Sequence, residues 1–361
     1  MKIIYMLLGT LLLSLGAFAQ HKDSDNILDR LLWDDKMLNI MLDTRVDFRS
    51  TFNGSDLDEA TFEGQTFKIW LAGEVIPGIR YRVRHRLNKP QNPLREGYSG
   101  ATDQAWVAFD LKDKWTFTVG KQSVQFGTFE YDYNPADIYQ PTMAFNDLDA
   151  YKTGLNVAYH FLGQSMNLQV VNSDAPQFAS EEYKKKALAV NVLWEGNLAN
   201  DMIKTRWGYG AFQHSKSKFY QWLTVGTQLN LGKFTTELDY YLGNRDMDYS
   251  DVVSQSDLGK RYVRDQSASL NLKYDFGKWK PFVKGTWNQR HDKQFASNAY
   301  ESLGIQAAVE FYPFTNKYVK DLRFHAAYAY GNTDFQGEFA HMHNKDTHTL
   351  LIGTRWLFKA K

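Results

Sequence analysis

The stretch at positions 78–90, GIRYRVRHRLNKP, sets an arginine at every second residue from Arg80 to Arg86, with Ile79, Tyr81, Val83 and Leu87 on the alternate positions. A helix would scatter these guanidiniums around its axis, whereas a period of two sends them all one way. The stretch therefore reads as a strand with one apolar and one cationic face. In a soluble sheet the cationic face would simply meet water. The rest of the chain has to decide whether it does.

The same alternation recurs in about sixteen segments, each near the nine to eleven residues that a tilted membrane strand requires. In NIMLDTRVDFRSTF, the residues Ile40, Leu42, Val46, Phe48 and Phe52 share one face, and Asp43, Arg45, Asp47 and Arg49 share the other. In LNLGKFTTELDYYL, two strands meet at Gly232-Lys233, a tight hairpin signal. Short links at 76–78, 112–114, 232–233 and 277–278 alternate with longer polar ones that include 124–149, 244–265 and 332–346. The final segment, TLLIGTRWLF, puts Leu350, Ile352, Thr354, Trp356 and Phe358 on one face, as a closing lipid-facing strand should. The pattern predicts an all-β fold. Residues 37–361 form a transmembrane antiparallel β-barrel of about sixteen strands, with short periplasmic turns and long extracellular loops.

The first residues, MKIIYMLLGTLLLSLGAFAQ, read as a signal peptide over 1–19, with one early cation, an apolar run and a small-residue cleavage site. Residues 20–36 have helix-like apolar spacing and are expected to form a short periplasmic lead-in. No apolar run beyond the signal approaches the roughly 18 residues of a membrane helix, and the mean hydropathy of -0.50 looks soluble. Alternating strands cancel in such an average. The aromatic content of 15%, with 21 tyrosines and 10 tryptophans, suits the girdles of a barrel. The absence of cysteine leaves an exported chain without disulfides. The 42 basic residues nearly balance the 41 acidic ones, which argues against nucleic acid as a partner. These features place the chain in the outer membrane of a Gram-negative bacterium, in contact with lipid and lipopolysaccharide.

Once the apolar faces are given to lipid, the arginines must point into the barrel, because a mid-membrane charge on the lipid face costs roughly 2 to 4 kcal/mol. The same parity turns inward about seventeen basic residues, Arg45, Arg49 and Lys68 among them, against about nine acidic ones. Pairing across the 76–78 turn sets Glu74 beside Arg80, and Trp70 and Lys68 beside Arg84 and Arg86, with Asp110 low on the following strand. The upper arginines are thus expected to lack an acidic neighbour on adjacent strands. Either the 124–149 loop, carrying Glu130, Asp132, Asp137, Asp147 and Asp149, folds inward as a constriction to meet them, or mobile anions do. The expected function is passive diffusion of small hydrophilic solutes through an outer-membrane porin that prefers anions, phosphate included, by successive contacts at Arg86, Arg84, Arg82 and Arg80. The alternative is a general or sugar porin whose arginines face an acidic constriction loop.

Other chemistry is weaker. His341, His343 and His348 lie near Met342 without a carboxylate or cysteine frame, so no metal site is expected. His85 and His348 fall on the outward parity with no serine or orienting partner evident. Glycine-rich phosphate loops are absent. No enzyme activity and no cofactor are expected.

The segments YRVRHRLNKP and ATDQAWVAFDLKDKWTFTVGKQSVQFGTFEYDYNPADIY resemble the phosphate-selective porin O and P family, particularly its members from Bacteroidota. The RLNKP strand end, Gly120-Lys121-Gln122 and the aromatic, acidic EYDYNPADIY carry the likeness, strongest over 79–140. The resemblance implies a sixteen-stranded porin, a homotrimer, with an arginine-lined channel and an inward-folded third loop. It also implies that Arg80, Arg82, Arg84 and Arg86 form an anion-selecting ladder.

Overall fold

The computed structural model describes residues 37–359 except 93, 95, 135–136, 149, 175–181, 246–262, 294 and 317, and the backbone alone of Asp147 and Arg245. The expected signal peptide, the lead-in over 20–36 and Asp149 lie outside the described residues. The first eight strands are β1 (Asn39–Asn53), β2 (Asp56–Ile76), β3 (Ile79–Arg86), β4 (Thr102–Leu111), β5 (Trp115–Ser123), β6 (Tyr151–Phe161), β7 (Gln164–Asn172) and β8 (Leu188–Leu198). They are followed by β9 (Ile203–Ser215), β10 (Lys218–Leu231), β11 (Phe234–Arg245), β12 (Val263–Tyr274), β13 (Trp279–Asp292), β14 (Ser297–Phe311), β15 (Leu322–Phe335) and β16 (Lys345–Lys359). Each pairs antiparallel with its sequence neighbours, and β1 pairs with β16 from Met41 opposite Lys359 to Asn53 opposite Thr347. The barrel is closed, so no strand edge is left for lipid to meet.

The two ends differ, though less regularly than the sequence suggests. One end carries turns such as 77–78, 112–114, 162–163 and 232–233, and the other carries the long segments 87–101 and 124–150. At that second end, however, β1 and β2 continue through the link at 53–64 and turn at 54–55, and β9 and β10 turn at 216–217. In the first case the alternation simply persists beyond the membrane, and Gly54 takes the turn at a φ of 59°.

Side-chain direction follows the expected parity. Ile352 (67% exposed) and Leu238 (55%) face outward, while Arg355 and Asp239 beside them are buried inside. Aromatic pairs ring the short-turn end: Trp115 with Tyr159, Trp279 with Phe311, and Trp356 with Phe358, at centroid separations of 4.6, 4.1 and 4.9 Å. Such amphipathic rings sit at the membrane interface.

The bore is not uniformly polar. Phe212, Tyr220, Trp222 and Tyr241 turn inward from β9, β10 and β11 and are almost wholly buried with Phe126, Val124 and Leu148 of the 124–150 segment. This cluster fills one side of the lumen, so the water path is confined to the remainder. Alternation alone could not announce it, because an inward aromatic has the same period as an inward charge.

If Leu238 faces acyl chains, Leu238→Arg is expected to lower barrel stability by about 2 to 4 kcal/mol. Denaturant unfolding in phospholipid vesicles measures this, and an unchanged midpoint would place Leu238 away from lipid.

Candidate functional site

The arginine strand β3 is held between β2 and β4 in the register the sequence suggests, with Lys68 opposite Arg86, Trp70 opposite Arg84 and Glu74 opposite Arg80. Asp110 grips Arg80 with two charge-assisted hydrogen bonds, from Nε at 2.6 Å and Nη2 at 2.7 Å. Thr116 adds a third by donating to Asp110 at 2.7 Å. Arg82 lies over the Trp106 ring at 5.4 Å. Arg84 is sandwiched between Trp70 at 5.0 Å and Tyr151 at 4.6 Å.

The upper arginines do have an acidic neighbour, contrary to expectation. Asp103 on β4 reaches Arg84 at 3.1 Å and Arg86 at 2.7 Å. A bulge makes this contact: the β3–β4 register shifts between Arg84 and His85, so that Gln104 pairs with Arg84 and Thr102 with His85. Asp103 is the extra residue, and a bulge re-aims a side chain that strict alternation would send to the other face. Parity counting therefore missed it. Lys121 is matched in a similar way by Glu96 of the 87–101 loop, at 2.8 Å.

The 124–150 segment does fold into the barrel. It carries two short helices, α1 (Phe129–Asp132) and α2 (Met143–Asp147). Gly208 and Gly226 let its backbone lie directly on β9 and β10. A Cβ at Gly208 would stand 2.8 Å from the Phe126 carbonyl oxygen, and one at Gly226 would stand 2.8 Å from the Thr128 Cα. Asp239 accepts the Phe129 and Glu130 N–H groups at 2.9 Å each, fixing the start of α1.

Its described acids do not face the ladder. Glu130 pairs with Lys284 and accepts the Thr142 N–H at 2.9 Å, Asp132 lies 3.4 Å from Arg206, and Asp137 is shared by Arg323, at 2.7 Å, and Arg355. On β1 and β2, Asn134 accepts from Lys68 at 2.8 Å and donates to Asp43 at 2.8 Å. Among the remaining residues expected on an anion path, Arg45 pairs with Asp47 at 2.7 Å and covers Tyr139 of the loop at 4.5 Å, whereas Arg49 lies 3.6 Å from Glu63. Asp147 lies in α2, and its side chain is not described. The inward charge is thus paired far more completely than a positive lumen with negative loops would imply. The pairing is legible only once the loop and the bulge are in place.

On the short-turn side of the loop lies a cavity of about 1790 Å³. Arg80, Lys112, Lys114, Lys204 and Lys233 line it, with Asp137, Arg323 and Arg355 at its inner end. Elsewhere, His85 meets the Thr102 hydroxyl at 3.0 Å, and His348 meets the Tyr328 hydroxyl at 2.8 Å.

Burial alone would raise the Asp137 carboxyl, but the Arg355 and Arg323 guanidiniums outweigh it and hold it well below the usual carboxylate range. A depressed value stabilises at every pH above the unfolded carboxyl value of about 4 and is lost only as pH falls through the folded one. Acidification from pH 7 to 4 is therefore expected to leave the contacts of Asp137 with Arg323 and Arg355 intact, so that Asp137→Asn lowers the denaturant-unfolding midpoint by a similar amount at both pH values. Breaking the buried contact between β3 and β4 is a different matter. Asp103→Ala leaves two guanidiniums without their carboxylate and is expected to cost about 3 to 5 kcal/mol in denaturant unfolding.

A family model described as phosphate-selective porin O and P matches residues 37–262. No curated protein matches the chain by sequence. Among solved structures, the chain is similar to the anion-selective porin from Comamonas acidovorans, at 9% identity and a TM-score of 0.63, over 90% of this chain and 100% of that one. It is also similar to the outer membrane channel DcaP of Acinetobacter baumannii, at 10% identity and a TM-score of 0.63, over 89% and 97%. OmpT of Vibrio cholerae in its trimer form matches at 11% identity and a TM-score of 0.61, over 90% and 100%. At such identities the likeness shows the shared barrel fold.

Proposed function

The chain belongs to the phosphate-selective porin O and P family and is a porin of the Gram-negative outer membrane, and from that premise we propose that it is a passive channel preferring small anions, phosphate among them. The observation that carries this reading is the set of lysines around the cavity at the short-turn end. Among the described residues Lys112, Lys114, Lys204 and Lys233 make no ion pair, and Asp113 shares a turn with two of them. Fixed unpaired cations at a low-dielectric mouth concentrate anions and repel cations.

Deeper in, Arg84 and Arg86 share the single carboxylate of Asp103, which leaves that wall with residual positive charge. Arg80, about a third exposed, presents the lower end of the ladder to the cavity. An anion can thus be passed between sites that are each too weak to trap it. The described acids of the loop are committed to Lys284, Arg206, Arg323 and Arg355, which weighs against the β3 ladder arginines facing an acidic constriction. The same reading sets the barrel in outer-membrane lipid and lipopolysaccharide as a homotrimer, the form in which the Vibrio cholerae neighbour is described.

Reversal potentials across planar bilayers in a potassium chloride gradient test the proposal. Wild type is expected to favour chloride, and replacing Lys112, Lys114, Lys204 and Lys233 together by glutamine is expected to lower the anion-to-cation ratio by roughly twofold or more. Equal ratios in the two proteins would defeat the reading, as would a wild type without ionic bias that readily passes neutral sugars in liposome swelling.

A further inference from the structure

We propose that Arg323 and Arg355 form an oxyanion site in the barrel wall, filled in this conformation by the chain's own carboxylate, Asp137. The two arginines stand directly opposite each other on β15 and β16, and each is 5% exposed. Their Nη1 atoms converge on one oxygen, Oδ1 of Asp137, with Arg323 at 2.7 Å and Arg355 closer.

The Arg355 guanidinium is held from behind by the wall itself. Asp43 takes the Nε and Nη2 donors of Arg355 at 2.8 and 3.0 Å, which leaves Nη1 as the edge turned to the loop. On Arg323 the Nη1 that meets Asp137 also lies 3.2 Å from Glu310 and donates to the Tyr312 hydroxyl at 3.3 Å, which fixes its position. Two buried guanidinium nitrogens aimed at one carboxylate oxygen make a clamp for an oxyanion. Asp137 supplies those oxygens from a loop rather than from a strand. Its side chain is 28% exposed, and all three residues line the cavity at the short-turn end.

An oxyanion that enters this cavity therefore competes with Asp137 for the same donors. Asp137 weakens the site, because the observed affinity falls in proportion to the fraction of time the clamp is vacant. A channel needs that weakness, since a site that binds too tightly blocks the path it serves. The Asp137 carboxyl stays ionised across the ordinary pH range and so competes throughout it. The proposal rests on the anion-channel reading and adds to it a second contact point, away from the β3 ladder.

The test is block of the chloride current by inorganic phosphate, read in planar bilayers on the full-length barrel. Asp137→Ala is expected to lower the half-blocking phosphate concentration roughly tenfold or more. Asp137→Asn, which keeps the side chain's size, is expected to act in the same direction, and adding Arg355→Gln to Asp137→Ala is expected to restore weak block. The proposal is overturned if phosphate blocks wild type and both Asp137 variants alike, or if tight block survives Arg355→Gln. It is also overturned if tighter block appears only with faster neutral-sugar uptake, which would report a displaced loop. Absence of anion preference in the wild-type reversal potential would sink the channel reading instead, because block and preference are read separately.

Discussion

A backbone N–H or C=O that faces lipid has no water to bond, so a chain that crosses a bilayer as strands must close them into a cylinder. Here that demand is met by β1 pairing with β16 along thirteen residues, from Met41 to Asn53. Closure fixes an inside and an outside for every residue, and the remaining structure follows from that division. Leucines and aromatics go outward at no cost, and every charged side chain within the span is driven inward. The inside of this barrel is thus a small volume crowded with ions.

Crowding explains why the lumen is built from pairs. A lone guanidinium in a wall of low dielectric costs several kcal/mol, and a partner removes most of that cost. Arg84, Arg290 and Arg355 each find an aspartate on a neighbouring strand. Lys284 and Arg323 find their carboxylates, Glu130 and Asp137, on the 124–150 segment. The segment is consequently bound on most sides of the bore, from Asp239 on β11 to Asn134 between β1 and β2. Among the described residues, Lys112, Lys114, Lys204 and Lys233 stand without such partners at the short-turn mouth. On the proposed reading, selectivity resides in this unpaired remainder rather than in the total count of lysines and arginines.

The strands were legible because one rule, alternation, governs both their existence and their facing. The β2–β3 register emerged where pairing across the 76–78 turn placed it, and the third loop takes the inward course that the family resemblance implies. Three features escaped that rule. Asp103 falls on the outward parity of its strand, and a single bulge reverses parity beyond it. Phe212, Trp222 and Tyr241 line an apolar part of the bore, which alternation does not distinguish from a polar one. The basic partners of Glu130 and Asp137 lie more than a hundred residues away, beyond any local pattern.

By itself, the sequence determined the strand count, the two faces and the family, since these depend on side-chain period and short motifs that are local to each segment. Only the tertiary structure decided which cations are neutralised and which remain available. Coulomb attraction varies inversely with separation and with the local dielectric, and the distances that settle it exist only after closure brings β1 to β16 and lays the loop across the bore.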